Sequence, residues 1–407
     1  MRNENRRAFL RLAGGTLAGA GAATGALARS EEPLAVPDWT RQQGATAAGY
    51  GQPAPGETLA RYARLPPAFP GAVATVTPLQ GLHGVITPNG LHYERHHAGI
   101  PAIDPDRHRL VVHGLVERPL VLTMDDLLRF PAVSRLHFLE CSGNTPWLGA
   151  KPDWTVQDSH GLLSCAEWTG VELATLLAEV GVKPNAAWIL AEGADACAMS
   201  RSIPLDVALD GAILAYAQNG ERLRPEQGYP LRLFLPGLEG NLSIKWLRRL
   251  KVGDRPFQTR EETSKYTDLM PDGSARQFTL VMEAKSVITA PSGGQHLREP
   301  GLHEIRGLAW TGRGRVAGVD VSTDGGASWR PAILEGPVLP RCLTRFRLPW
   351  RWEGGAARLL SRARDETGYV QPAREALVGV RGTRSYYHNN AVFGWAVAAG
   401  GAVIHAA

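Results

Sequence analysis

Hydrophobic positions along this chain fall into short runs separated by turn-forming residues, and that spacing predicts most of its elements. Arg135–Glu140 is an apolar, strand-like run that ends at Cys141, where Ser142-Gly143-Asn144 turns the chain. Upstream, the region from His108 to Val121 reads as strands and a turn, and Thr123–Leu128 as a short helix capped at Thr123. Trp168–Leu177 is expected to open another helix that ends near Gly181. Strands are expected around Trp188–Ala191, Leu231–Leu235 and Leu247–Val252.

Beyond about residue 285 the texture changes. Leu302–Trp310, Arg315–Ser322, Ser328–Leu334, Arg345–Leu348 and Arg358–Arg364 are evenly spaced short runs, with turn signals such as Asp324-Gly325-Gly326 between them. That pattern predicts an antiparallel sandwich. Residues 29–80 are rich in Pro, Gly and Ala without periodicity and read as an extended arm. The expected organisation is residues 1–28 as a leader, 29–80 as the arm, 81–285 as a first domain, and 286–407 as the sandwich with a C-terminal tail.

The leader is expected from Asn5-Arg6-Arg7-Ala8-Phe9-Leu10-Arg11, a twin-arginine pattern, followed by a weakly apolar stretch and Ala26-Leu27-Ala28 as a cleavage site. This implies periplasmic export of a protein without a membrane span. The leader also changes the reading of charge. The formal +5 includes +3 from residues 1–28, and no later basic run interleaves with aromatics, so nucleic-acid binding is not expected.

There are four cysteines, Cys141, Cys165, Cys197 and Cys342. Without a C-x-x-C pair, a zinc ribbon or thioredoxin-like site is unsupported, and without C-x-x-C-H no covalent c-type haem is expected on this chain. Cys141 stands at a strand end, where a thiol is a nucleophile, a metal ligand or a core residue. As a nucleophile it needs a base within reach. His137 is four residues away, roughly 13 Å along an extended strand, too far for a direct dyad. Six of the twelve histidines lie between His83 and His113, but Pro88, Gly90 and Gly99 oppose one helix presenting them to a metal. A third option is a lone thiolate on a soft metal held mainly by an organic cofactor through dispersed polar contacts.

The motifs, taken in order, then carry a resemblance. Tyr93-Glu94-Arg95-His96-His97, Glu140-Cys141-Ser142-Gly143-Asn144, Ala191–Asp195, Gly228–Arg232, Ser243–Leu247, Leu308-Ala309-Trp310 and Val319–Trp329 span most of residues 80–390. The chain resembles the sulfite oxidase family of molybdopterin enzymes, and within it is most similar to the molybdenum subunit of sulfane dehydrogenases of periplasmic sulfur-oxidising systems. The resemblance implies an α+β fold: a mixed α/β molybdopterin-binding domain followed by an immunoglobulin-like dimerisation domain. It implies that Cys141 ligates molybdenum beside the sulfurs of the pterin, a soft-ligand role. Arg95 and His97 match positions near pterin and substrate, with Tyr93 in the same motif. Asp195, Arg232, Ser243, Ile244 and Lys245 match positions that hold the pterin and its phosphate. Tyr266 matches a phenol beside the metal, and Arg381 an arginine of the substrate pocket.

Two departures bear on the substrate. Sulfite oxidases carry arginines soon after the cysteine turn, where this chain has Thr145-Pro146-Trp147, and Gln227 replaces a family histidine. Both changes weaken a pocket for free sulfite and favour a sulfane sulfur tethered to a carrier protein. The implied partners are that carrier, a separate c-type cytochrome as electron acceptor, and a second copy of the chain. The alternatives are a sulfite dehydrogenase acting on free sulfite and a non-catalytic binding subunit of the sulfur-oxidising complex.

Overall fold

The computed structural model describes residues 35–64, 71–145, 151–383 and 387–406. The expected leader, residues 1–28, and Pro146-Trp147 lie outside them. The chain divides into two compact units, Met1–Glu57 and Thr58–Ala407. In the first, the described residues hold a single 3-10 turn, Asp38–Arg41.

The second unit contains two lobes, and the first of these is built on two five-stranded sheets. In one, Glu221–Arg222, Ile213–Gln218, Leu163–Glu172 and Ala132–Glu140 run antiparallel in that order, and Arg232–Phe234 also pairs with Ile213–Gln218. In the other, the order is Leu120–Leu122, Leu110–Gly114, Leu247–Gly253, Trp188–Gly193, Ser200–Pro204, with one parallel pairing between Leu110–Gly114 and Leu247–Gly253. Leu110, Val112, Ile189, Leu247 and Leu250 from the second sheet share one core with Leu214 and Leu233 from the first. The helix Leu173–Val180 inserts Leu173, Leu176, Leu177 and Val180 into it. At about 1.5–3 kcal/mol per buried aliphatic side chain, this core fixes where the strand ends lie.

The capped helix is present as Met124–Leu128: Thr123 Oγ1 accepts from the Asp126 amide at 3.1 Å, and Asp126 returns the bond to Thr123. The helix expected from Trp168 begins instead at Leu173. Residues Trp168–Glu172 belong to the strand Leu163–Glu172. A Cβ on Gly170 would stand 2.1 Å from the Leu214 carbonyl oxygen, so the neighbouring strand lies against bare backbone there. Sheet packing, with Trp168 fully buried, overrides the helical spacing.

The C-terminal lobe is the expected sandwich. One sheet runs Lys285–Ala290, Gly301–Trp310, Thr344–Trp352, Ile333–Glu335, and the other Arg330–Pro331, Val316–Ser322, Ala357–Asp365, Gly394–Val397, Val403–Ala406. Buried residues of both, among them Ile305, Leu308, Trp310, Val319, Leu359 and Trp395, form the core. The helix Arg374–Arg381 was not anticipated from the sequence. A buried ion pair crosses between the lobes: Lys285 Nζ lies 2.8 Å from Glu140 Oε1, while Trp310 Nε1 donates to Glu140 Oε2 at 2.6 Å. Among the described residues, no helix is long and apolar enough to cross a membrane.

Candidate active site

Strand Ala132–Glu140 ends one residue before Cys141, and the turn that follows is pinned from both sides. The Cys141 amide donates to the Leu162 carbonyl at 3.0 Å, and Asn144 Nδ2 donates to Glu140 Oε1 at 3.0 Å and the His160 carbonyl at 3.1 Å. Thr145 is held at φ +56°, a strained setting for a β-branched residue. A C-terminal segment secures it. The His388 amide donates to the Ser142 carbonyl at 3.0 Å, and Asn389 Nδ2 to the Thr145 carbonyl at 2.9 Å.

Cys141 opens onto a cleft enclosing about 670 Å³, its open mouth included. Tyr93, Arg95, His97, Asp195, Arg232, Ser243, Ile244, Lys245 and Tyr266 line the same cleft, so one cavity gathers residues spread over more than 170 positions of sequence. Arg381 does not line it. It is buried behind, with its guanidinium 3.3 Å from Asp268 Oδ2, two residues beyond Tyr266. His137 also lies outside the lining, and its ring meets the Arg341 carbonyl at 3.2 Å, so it is no base for Cys141. Among the described residues, no cluster of three metal-ligating side chains forms.

Electrostatics give the cleft its character. Arg232 is 2% exposed, and among the described residues no carboxylate pairs with it. Its Nη1 donates to the Gln227 carbonyl at 3.0 Å and Nη2 to the Ser243 carbonyl at 3.2 Å, its guanidinium stacks 4.9 Å from the Trp168 ring centre, and Nε has no partner. Burial lowers its pKa to about 10, yet it stays cationic. A buried charge without a counter-ion is costly unless an anion completes it. Gly240 lets this wall pack against the strand that leads to Cys141: a Cβ there would stand 2.7 Å from the Glu140 carbonyl oxygen and 3.1 Å from Tyr93 Oη.

Burial, above all, raises the Cys141 pKa, with Glu239 and Glu140 adding to it against Arg95. The free group is therefore a thiol, and a soft cation in the cleft is what would make it a thiolate. Tyr266 is likewise held protonated by burial and then by Cys141. Its ring packs 4.7 Å from Tyr387, and Arg201 sits 4.9 Å from its centre. Burial, followed by Arg95 and Lys245, drives His97 down to about 4, which keeps it neutral near pH 7. Asp195 accepts from the Met199 amide at 3.1 Å and from Cys197 Sγ at 2.7 Å. A single soft donor and a buried guanidinium that has no carboxylate partner and an orphaned Nε fit a molybdenum–molybdopterin group: Cys141 suits the metal, and Arg232 with Ser243–Lys245 suits its anionic end.

Three contributors escaped the sequence reading. Asn241 lines the cleft, and its Nδ2 donates to Ser142 Oγ and Glu239 Oε2, both at 3.0 Å. Arg201, buried beneath Tyr266, donates to Asn241 Oδ1 and lies 3.5 Å from Glu262. Trp168 supports Arg232 from a strand expected to be helix. The one available signal was Arg201 itself, a charge inside a short strand.

Residues 97–261 match the family described as oxidoreductase molybdopterin binding domain, and residues 276–394 the Mo-co oxidoreductase dimerisation domain. Mitochondrial sulfite oxidase of Homo sapiens is 33% identical over 287 residues, covering 66% of this chain and 52% of that protein. The NADH nitrate reductase of Ulva prolifera is 30% identical over 334 residues, covering 71% and 38%. This chain thus spans about half the length of the curated sulfite oxidases it matches. Among solved structures, the sulfane dehydrogenase SoxCD from Paracoccus pantotrophus superposes with a TM-score of 0.88 at 46% identity, over 91% of this chain and 97% of that one. With this site on this fold, the chain belongs to the sulfite oxidase family of molybdopterin oxidoreductases.

Proposed function

We propose that this protein is a periplasmic molybdenum oxidoreductase that oxidises sulfane sulfur held on a carrier protein and passes electrons to a separate c-type cytochrome. The reading rests on one juxtaposition: the lone thiol Cys141 shares a cleft with Arg232, a buried cation lacking a carboxylate partner. Likeness to a sulfane dehydrogenase at 46% identity supports the choice of substrate. The dimerisation family matched by residues 276–394 supports a homodimeric core.

When bound, the molybdenum–molybdopterin group supplies oxygen-atom transfer and accepts two electrons per oxygen. Cys141, as a thiolate, would hold the metal. Arg232 and the Ser243–Lys245 segment would hold the anionic end. Arg95, which lines the cleft and donates to the carbonyls of Val73 and His96, orients anionic oxygens on the substrate. Tyr266, kept protonated, donates a hydrogen bond beside the reacting sulfur. Neutral His97 adds no charge there. With Thr145 in place of an arginine and Gln227 in place of a histidine, the cleft lacks part of the positive charge that a small free dianion needs.

A second reading, oxidation of free sulfite, is favoured by the 33% identity to sulfite oxidases. Turnover of sulfite compared with that of a carrier-bound persulfide separates the two. We expect the persulfide to be the better substrate; efficient sulfite oxidation without carrier activity rules out this substrate assignment.

A further inference from the structure

Lys245 lines the cleft, yet its ammonium spends its hydrogens on protein. Nζ donates to the Arg95 carbonyl at 3.1 Å, to the Glu226 carbonyl at 3.0 Å and to His96 Nδ1 at 2.7 Å. An ammonium has three N–H donors and no acceptor, so in its charged form this set uses all of them. Burial, and then Arg232, push the Lys245 pKa well below the usual lysine range, while Glu94 and the three acceptors favour the charged form. The same geometry fixes the His96 tautomer. Because Nδ1 accepts, the ring proton sits on Nε2 and donates to Glu94 Oε2 at 2.7 Å. Glu94 in turn pairs with Arg61, which reaches Glu226 Oε1 at 3.6 Å and donates to the His92 carbonyl at 2.8 Å. The Trp246 ring covers both sides of the contact, 4.4 Å from Lys245 Nζ and 5.9 Å from the His96 ring.

This chain of bonds ties two stretches far apart in sequence. His96 sits between Arg95 and His97, and all three line the cleft, as does Lys245 from a segment 150 positions away from Arg95. We propose that His96, as a neutral imidazole, is a positioning residue that locks Arg95 and His97 onto the Lys245 wall, and that protonating its ring releases the wall and weakens the hold on cofactor and substrate. The proposal rests on the cleft being the cofactor site.

The groups facing His96 are Glu94, Lys245 and Glu226, with Arg61 behind Glu94. Burial lowers the His96 pKa first and Lys245 adds to that, against Glu94 and Glu226. The unfolded chain therefore takes up this proton before the folded one does. The contribution to stability is full above about pH 6.5 and is lost as pH falls from there toward the folded-state value. A protonated ring also turns an N–H toward the Lys245 ammonium, where an acceptor is needed.

The test compares cofactor-loaded wild type with His96→Gln and His96→Leu at pH 7.5 and pH 5.5. A glutamine amide accepts from Lys245 and donates to Glu94 without titrating; leucine does neither. The readouts are pterin released on dialysis, measured by fluorescence, KM against kcat, and melting temperature. We expect wild type to lose pterin faster at pH 5.5, by up to about fivefold, the scale of one hydrogen bond, with KM rising more than kcat falls. His96→Gln should rescue what His96→Leu loses at pH 7.5 and should be level between the two pH values. His96→Leu should resemble acidified wild type at both. An acid limb in His96→Gln equal to that of wild type, or wild-type pterin retention in His96→Leu, overturns the proposal. Protein that carries no pterin refutes the cofactor-site reading instead. The melting temperatures then still decide: a larger acid drop in wild type than in His96→Gln supports the lock, and equal drops overturn it.

Discussion

Replacing Lys285 with methionine removes one half of the buried pair between the lobes while keeping most of the side chain's volume. Both partners are fully buried, with Nζ 2.8 Å from Glu140 Oε1. Breaking such a pair costs about 3–5 kcal/mol, because the remaining charge loses its counter-ion without regaining water. Glu140 keeps donors from Trp310 at 2.6 Å and Asn144 at 3.0 Å, so we place Lys285→Met near the lower bound, about 3 kcal/mol. Urea unfolding followed by tryptophan fluorescence reads this as a lower midpoint at unchanged slope. The double variant Glu140→Gln with Lys285→Met removes both charges and should regain more than half of the loss. A cost for Lys285→Met under about 1 kcal/mol, the value of a solvated pair, would refute the reasoning by showing that water reaches the site.

Cys141→Ser should preserve the far-ultraviolet circular dichroism spectrum but change the molybdenum electron paramagnetic resonance signal and abolish turnover; an unchanged signal removes the ligand assignment. Arg232→Gln should lower the pterin content of purified protein about tenfold or more, since it deletes the unpaired buried cation, and wild-type content would show that the anion is held elsewhere.

Much of the fold was legible because the sandwich strands alternate cleanly and the Thr123 helix carries its own cap. The Trp168 segment was not, because a helical spacing of apolar residues there is answered by a strand packed against Gly170. The candidate site was legible through its ordered motifs, which named the residues lining one cleft. Arg381 shows the limit of that route. A motif supplies a neighbourhood, whereas the direction of a side chain depends on partners such as Asp268. Asn241 left no signal, and Arg201 left only its own charge, for a related reason. They act through hydrogen bonds to Ser142 and Tyr266's surroundings, and neither spacing nor periodicity encodes such cross-chain partners.

The segment Tyr387–Asn390 has a consequence for the order of events during synthesis. Its bonds to Ser142 and Thr145 span at least 244 positions, and Tyr387 also donates to Asp268 at 3.3 Å. While the ribosome is still making the sandwich, the cysteine turn has its local bonds to Glu140, His160 and Leu162 but not those from His388 and Asn389. Such late, distant closure is slow to find. The last locking of the thiol turn therefore waits until the segment Tyr387–Asn390 has been made.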